Sequence, residues 1–200
     1  MALKKKPAMS LPAKHMFKGA APREISYSWS AKNLAERTVI RSIENLTGRP
    51  KLLKMALGYE DEVEAGRNFW EVMQERYRVT MDFVNGGLEN IPREGPLVLV
   101  ANHPYGIMDG MAVGRIVSEA RGDFRIIAHV VFRKAKDLQR IILPIDFGET
   151  KEAMVQNLQT RKVALKYLAD GGAIGIFPGG TVSTAAKPFG LPRDPHWKTF

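Results

Sequence analysis

The spacing of apolar residues divides the chain into a helical first part and a second part in which short apolar runs alternate with helical stretches. Apolar residues recur at helical spacing over 30–47 and over 60–78, which predicts a helix in each range. Residues 1–28 instead carry prolines at positions 7, 12 and 22. We therefore expect an irregular basic arm (1–28), a helical region (29–84) and an α/β domain (85–200).

The second part of the chain is predicted to alternate strands with helices. Apolar runs predict strands at Leu97–Ala101, Arg125–Phe132, Ile141–Ile145 and Ala173–Phe177. Helices are predicted between them at Gly110–Glu119, near Lys134–Gln139 and at Thr150–Ala169. The inward positions of the last helix are expected to be Met154, Leu158, Leu165 and Leu168. The alternation favours an α/β fold: a layered, mostly parallel sheet flanked by helices, with functional residues at the carboxyl ends of its strands.

The net charge of +9 lies entirely in the first third of the chain. Residues 1–58 hold 12 Lys and Arg against three acids, whereas residues 59–200 hold 18 of each sign. A basic segment ahead of a neutral domain indicates an anionic partner, such as phospholipid head groups, an acidic carrier protein or nucleic acid. The alternative is a solvated arm that aids solubility. The predicted helix 30–47 carries basic residues opposite its apolar stripe, so it could lie on an anionic bilayer or pack on the domain core.

Composition excludes several classes of protein. Without a single cysteine, the chain has no disulfide scaffold, no thiolate zinc site and no cysteine nucleophile. No apolar run approaches the ~20 residues that a membrane-spanning helix needs. The first 18 residues are basic, contain two prolines and lack the apolar stretch of a signal peptide. We expect a protein that is soluble or bound to one face of a membrane.

The loop after the first predicted strand has the residues of a catalytic base. It contains Asn102, His103 and, six positions after the histidine, Asp109. The histidine can take a proton from an attacking hydroxyl while the aspartate fixes its tautomer. No serine or cysteine lies in this loop, so the nucleophile would be the substrate's own hydroxyl or amine. Alternatively, Asp109 caps the next helix and His103 is an ordinary hydrogen-bonded loop residue.

Two further loops carry candidate binding residues. The loop after the last strand contains Gly179, Gly180, Thr181 and Ser183. Its consecutive glycines can expose backbone amides to a phosphate or a developing oxyanion, or can form a plain turn. The other loop contains Phe132 and Arg133, whose guanidinium can bind a phosphate or carboxylate or can simply be solvated.

In their order and spacing, these three loops resemble the first three conserved blocks of the glycerolipid acyltransferase (PlsC-like) family. The lead-in ENIPREGPLVLVAN at 89–102 also fits, and the similarity covers roughly residues 85–200. It is closest to the bacterial hemolysin-like branch, which includes O-acyltransferases that make ornithine lipid.

The resemblance implies an acyl transfer reaction and a role for each loop. His103 would deprotonate the acceptor hydroxyl, Asp109 would orient His103, and the hydroxyl would attack the thioester of acyl carrier protein or coenzyme A. Arg133 matches the acceptor-binding arginine of the family. The full substrate-binding set implied is Asn102, Phe132, Arg133, Gly179, Gly180, Thr181 and Ser183. No metal or redox cofactor is implied.

The chain departs from the family pattern in spacing, in two loop residues and in length. Five residues rather than four separate His103 from Asp109, Gly179 replaces a glutamate and Val182 replaces an arginine. The missing arginine removes a phosphate ligand, so lyso-ornithine lipid is expected as an acceptor beside lysophosphatidic acid. The fourth block of the family has no counterpart before Phe200, so the α/β domain is expected to be incomplete at its C terminus.

We therefore predict a lysolipid O-acyltransferase that is cytoplasmic and bound peripherally to the anionic inner face of the cytoplasmic membrane. Two other functions stay open at this point. One is a catalytically inactive lipid-binding protein of the same fold. The other is a nucleic-acid-binding module, which is not expected because the basic segment lacks interleaved aromatic residues and matches no recognised motif.

Overall fold

The centre of the protein is a parallel β-sheet. The computed structural model describes residues 33–35, 37, 38, 40, 42, 49–185, 190, 191 and 193–197. The described residues form four strands: β1 (Leu97–Val100), β2 (Arg125–His129), β3 (Ile142–Ile145) and β4 (Ala173–Ile176). All neighbouring strands pair in parallel, in the order β1-β4-β2-β3. The predicted α/β fold is confirmed, and the loops that follow the strands emerge at one edge of the sheet.

Helices cover both faces of this sheet. From residue 49 onward, three short helices precede the first strand: α1 (Arg49–Ala56), α2 (Tyr59–Glu64) and α3 (Phe69–Tyr77). Two longer helices connect strands: α4 (Ile107–Arg121) and α5 (Lys151–Ala169). Short 3₁₀ turns at Leu88–Asn90, Val130–Lys134 and Lys136–Leu138 complete the path.

The buried apolar residues include one layer on each face of the sheet, and a further cluster packs α1, α2 and α3 against α4. On the α4 face, Val113 and Val117 pack with Ile126, Ala173 and Trp70, the last contributed by α3. On the α5 face, the sheet packs against Ala164, Tyr167 and Leu168. A glycine lets α4 approach the sheet closely, because a Cβ at Gly175 would lie 2.7 Å from Cγ1 of Val113.

The predicted helix over 60–78 is wrong as a single element, because the chain breaks it into α2 and α3. Gly66 adopts a left-handed φ of 93°, which ends α2 without strain. Asn68 then caps α3, and its side-chain oxygen accepts hydrogen bonds from the backbone N–H groups of Trp70 and Glu71. The apolar positions Trp70 and Met73 are buried as expected.

The second predicted strand is shorter than expected. It ends at His129 rather than at Phe132, and the chain continues as the 3₁₀ turn Val130–Lys134. The imidazole Nδ1 of His129 accepts the N–H of Val131 at 3.2 Å, which turns the backbone out of the sheet. Arg133 therefore lies on a turn beyond the strand.

The expected inward face of α5 is also wrong. Met154, Leu158 and Leu165 are 65%, 54% and 54% exposed, and of the four expected residues Leu168 alone packs on the core. The buried positions are Ala153, Thr160 and Ala164. Small side chains let the helix lie close to the sheet, and the hydroxyl of Thr160 donates to the carbonyl of Pro144 at 2.6 Å.

Two predicted elements at the start of the chain fall largely outside the described residues. The basic arm over 1–28 lies outside them entirely, and the helix over 30–47 is described at scattered positions that include helical residues between 34 and 42. Leu34, on the predicted apolar stripe, is exposed. Among the described residues, no helix combines the length and apolar character needed to cross a bilayer.

Candidate active site

His103 and Asp109 meet in the loop between β1 and α4. Nδ1 of His103 lies 3.0 Å from Oδ2 of Asp109, and the same oxygen accepts the N–H of Tyr105 at 2.8 Å. The N-cap of α4 is Gly106, so Asp109 lies inside the first turn and does not cap the helix. Because a carboxylate accepts at Nδ1, the neutral imidazole carries its proton there and leaves Nε2 as the basic nitrogen.

Phe177 fixes the plane of the imidazole. The two rings stack with centroids 4.3 Å apart and an interplanar angle of 24°. Phe177 follows β4, which is the neighbour of β1 in the sheet, so the stack depends on the parallel pairing of these strands. The side chain of His103 is 20% exposed, which leaves it reachable by a substrate.

The loop after β4 that contains Gly179, Gly180, Thr181 and Ser183 (the glycine loop) packs against the loop between β1 and α4 that contains His103 (the histidine loop). The N–H of Ser183 donates to the carbonyl of His103 at 2.7 Å. Gly180 has a left-handed φ of 71°, and its N–H closes a turn by donating to the carbonyl of Phe177 at 2.9 Å. The amides of Thr181 and Val182 donate to no described residue. These two amides, unlike that of Gly180, are therefore available to a ligand.

Asp194 joins the site although the sequence gives no reason to expect it. Its Oδ1 accepts the backbone N–H of His103 at 3.1 Å and the hydroxyl of Ser183. Two backbone hydrogen bonds between Thr184 and Arg193, at 3.1 and 3.0 Å, return the chain to the loop. The hydrogen bond from Ser183 is the main cause that lowers the pKa of Asp194, and the bond from His103 adds to it. Asp194 is 91 residues from His103, so no local motif connects them.

Other predicted site residues occupy different positions. Asn102 and Thr181 are exposed at the rim of the two loops. Gly179 is buried, and a Cβ there would lie 3.2 Å from Cδ of Pro195. Phe132 is partly buried and packs against the core of the α4 face. Of the predicted site residues, the structure joins His103, Asp109 and Ser183 by hydrogen bonds.

Arg133 lies in a separate groove between the 3₁₀ turn after β2, β3 and α5. The groove has a volume of about 720 Å³ and includes no residue of the histidine or glycine loop. Lys151 contributes a second cation and Glu152 an anion, and Leu143, Val155 and Val163 contribute apolar walls. This combination suits a ligand with an apolar chain and an anionic group.

The described residues contain no group of three or more His, Asp or Glu side chains placed to hold a metal ion. The chemistry that the site offers is that of a histidine base with an orienting carboxylate and nearby backbone amides.

Comparison with known proteins identifies the family. The sequence profile of the acyltransferase family matches residues 83–195, just over half of the chain. The chain belongs to the acyltransferase family. The resemblance inferred from the three loops is therefore confirmed, and the matched range contains His103, Asp109, Ser183 and Asp194.

Two curated proteins are similar to this chain over 113 residues each. One is a lyso-glycine lipid O-acyltransferase of Phocaeicola vulgatus, 29% identical over 113 residues, which are 56% of this chain and 38% of the relative. The other is a lyso-glycine lipid O-acyltransferase of Bacteroides thetaiotaomicron, 28% identical over 113 residues, which are 56% of this chain and 39% of the relative. The match thus spans less than two fifths of either relative. No solved structure matches the chain.

Proposed function

We propose that this acyltransferase moves a fatty acyl group from a thioester to the hydroxyl of a single-chain lipid. The observation that carries the proposal is the His103–Asp109 pair, held at 3.0 Å and stacked on Phe177 at the carboxyl edge of the sheet. The acyltransferase profile covers this edge. The thioester would come from acyl carrier protein or coenzyme A, which act as co-substrates.

In the proposed reaction, Nε2 of His103 removes the proton from the acceptor hydroxyl as its oxygen attacks the thioester carbonyl. The tetrahedral intermediate then collapses, the C–S bond breaks, and the thiolate takes the proton back from the imidazolium. Asp109 stabilises the imidazolium that forms between these two transfers. General-base catalysis of this kind contributes about 10²–10⁴-fold.

The glycine loop would stabilise the oxyanion of that intermediate. The amides of Thr181 and Val182 donate to no described residue, and they lie in the loop whose Ser183 N–H holds the carbonyl of His103. Preorganised backbone N–H groups near the reacting carbonyl are worth a few kcal/mol in other acyl-transfer sites.

We further propose that the acceptor is a lysolipid with an amino-acid head group. The matched relatives are named for lyso-glycine lipid, and Val182 stands where the family pattern has a phosphate-binding arginine. The groove that holds Arg133, Lys151 and Glu152 has a net positive charge, which suits the carboxylate of such a head group. Lyso-glycine lipid and lyso-ornithine lipid therefore rank before lysophosphatidic acid.

The basic first third of the chain fits a membrane-bound role. Its excess of nine positive charges over residues 1–58 would attract either an anionic lipid surface or an acidic carrier protein. We propose peripheral binding at the inner face of the cytoplasmic membrane. Vesicle flotation with and without anionic lipid, at 50 and 500 mM salt, tests this location.

Acyl transfer in mixed micelles tests the function. Labelled palmitate on acyl carrier protein, or as the coenzyme A thioester, is offered with lyso-glycine lipid, lyso-ornithine lipid or lysophosphatidic acid. We expect transfer to the amino-acid lipids and a loss of about 10²-fold or more in His103→Ala. Transfer that persists in His103→Ala would refute the mechanism.

A pair of matched variants tests whether the acceptor lipid binds in the groove. Arg133→Ala should raise KM for the amino-acid lipids about tenfold or more, because it removes one of two cations, while kcat changes little. Arg140→Ala, another basic residue of the same connection, is the control because it lies outside the groove. Equal effects of the two variants would exclude the groove as the acceptor site.

A further inference from the structure

We propose that Asp194 is a positioning residue that fixes the main chain of His103. The inference rests on the proposed function, because it assumes that His103 is the base. Its geometric basis is the pair of hydrogen bonds at Oδ1 of Asp194, from the N–H of His103 at 3.1 Å and from the hydroxyl of Ser183.

The main chain and the side chain of His103 are held by different parts of the fold. Asp109 on α4 and Phe177 after β4 orient the imidazole. The peptide groups are held separately, since Asp194 accepts the N–H and Ser183 donates to the C=O at 2.7 Å. Without Asp194, the histidine loop keeps its contact with Asp109 but loses its second anchor to the glycine loop.

The shared oxygen makes Asp194 a clamp between two loops. A single carboxylate oxygen receives one donor from the histidine loop and one from the glycine loop, so both loops are positioned relative to the same atom. The hydrogen bonds from Ser183 and His103 lower the pKa of the Asp194 carboxyl. A charged acceptor makes stronger hydrogen bonds than a neutral one does. The distance between the base and the amides of the glycine loop is thereby fixed.

Misplacement of a catalytic group by about 1 Å can cost about 10²-fold in rate. We therefore expect Asp194→Ala to lower kcat by about 10- to 100-fold with little change in KM for either substrate. Asp194→Asn should keep most of the rate, because the amide oxygen can accept both donors. Ser183→Ala keeps the bond to His103 and should lower kcat less than Asp194→Ala does.

The control is Asp170→Ala, which removes an exposed aspartate paired with Lys166 at the end of α5. Its kcat should equal that of the wild type. The pH dependence of kcat/KM should keep its acidic limb in Asp194→Ala, since His103 is still the base. Disappearance of that limb, or a kcat in Asp194→Ala equal to that of Asp170→Ala, would overturn the proposal.

Amide hydrogen exchange, followed by ¹⁵N NMR on the full chain, tests the clamp without relying on activity. Exchange at the His103 amide should accelerate at least about tenfold in Asp194→Ala and stay near the wild-type rate in Asp194→Asn. Unchanged exchange in Asp194→Ala would overturn the proposal. Exchange at the His103 amide could be faster in Asp194→Ala while the wild-type protein transfers no acyl group. That result would refute the proposed function but support the clamp.

Discussion

A single added methyl group tests how tightly the α4 layer is packed. In Gly114→Ala the new Cβ would lie 2.3 Å from Cε3 and from Cζ3 of Trp70. Non-bonded carbons normally stay about 3.5–4.0 Å apart, so the indole would have to move by more than 1 Å. Trp70 is 5% exposed, and the rings of Phe69 and Phe124 lie 5.0 and 5.8 Å away. The indole therefore has little room to move aside.

The expected loss of unfolding free energy in Gly114→Ala follows from comparison with a second glycine of the same helix. Gly110→Ala adds a Cβ that meets nothing within 4 Å, so it should gain the helix propensity of alanine, up to about 1 kcal/mol. Gly114→Ala gains the same propensity but overpacks the core, at a cost of about 1–3 kcal/mol. The difference in unfolding free energy between the two variants isolates that cost, because the propensity gain cancels.

Urea unfolding followed by circular dichroism measures the difference. We expect Gly114→Ala to be less stable than Gly110→Ala by at least about 1 kcal/mol. In a Trp70→Phe background the gap should shrink, because a smaller ring leaves room for the methyl group. Equal stability of the two glycine variants in the wild-type background would show that the contact between Gly114 and Trp70 is not as close as described.

Three further predictions concern the site. Asp109→Asn should lower kcat by about 10²–10⁴-fold, because an amide can donate to Nδ1 and so favours the wrong imidazole tautomer; near-normal turnover would contradict the assigned role. Gly179→Ala should lower kcat with little change in thermal stability, because its Cβ would lie 3.2 Å from Cδ of Pro195 and push the segment that carries Asp194; an unchanged kcat would argue against this coupling. The lowered pKa of Asp194 stabilises the fold above about pH 4 and that contribution is lost as the pH falls through the lowered value. Urea titrations should therefore show a difference in unfolding free energy between the wild type and Asp194→Asn that is constant from pH 5 to 7 and changes below about pH 4. A difference that does not depend on pH would refute this linkage.

Strand positions could be predicted because they depend on local sequence. The runs Leu97–Ala101 and Ala173–Phe177 each predict a strand to within one residue of the observed β1 and β4. The insertion of β4 between β1 and β2 could not be predicted in the same way. Strand order depends on which distant segments pair, and the apolar pattern of a single strand does not specify its neighbour.

The face of α5 shows where hydrophobic spacing misleads. Met154, Leu158 and Leu165 form a genuine helical stripe, yet they are exposed. The packing face uses Ala153 and Ala164 instead, because small side chains bring the helix axis near the sheet. A stripe of alanines at helical spacing is a weaker hydrophobic signal than a stripe of leucines, although it permits the closer contact.

The same contrast between local and distant information applies to the site. His103 and Asp109 lie six positions apart in one loop, so their pairing could be inferred from the sequence and is observed at 3.0 Å. Arg133 could be expected at the same edge of the sheet but not in a groove against α5, because the 3₁₀ turn after β2 decides where it lies. Asp194 could not be found at all, since it reaches His103 only after the chain has folded back through the pairing of Thr184 and Arg193.

The glycine at position 179 and the carboxylate at position 194 are best explained together. The resemblance to the glycerolipid acyltransferases implies a glutamate where this chain has Gly179, yet a Cβ at that position would come within 3.2 Å of Pro195, the residue after Asp194. Any side chain at this position would press on Pro195, which follows the residue that contacts His103 and Ser183. The loop therefore retains a carboxylate near the base, but that carboxylate comes from a segment that folds back on the loop rather than from the loop itself.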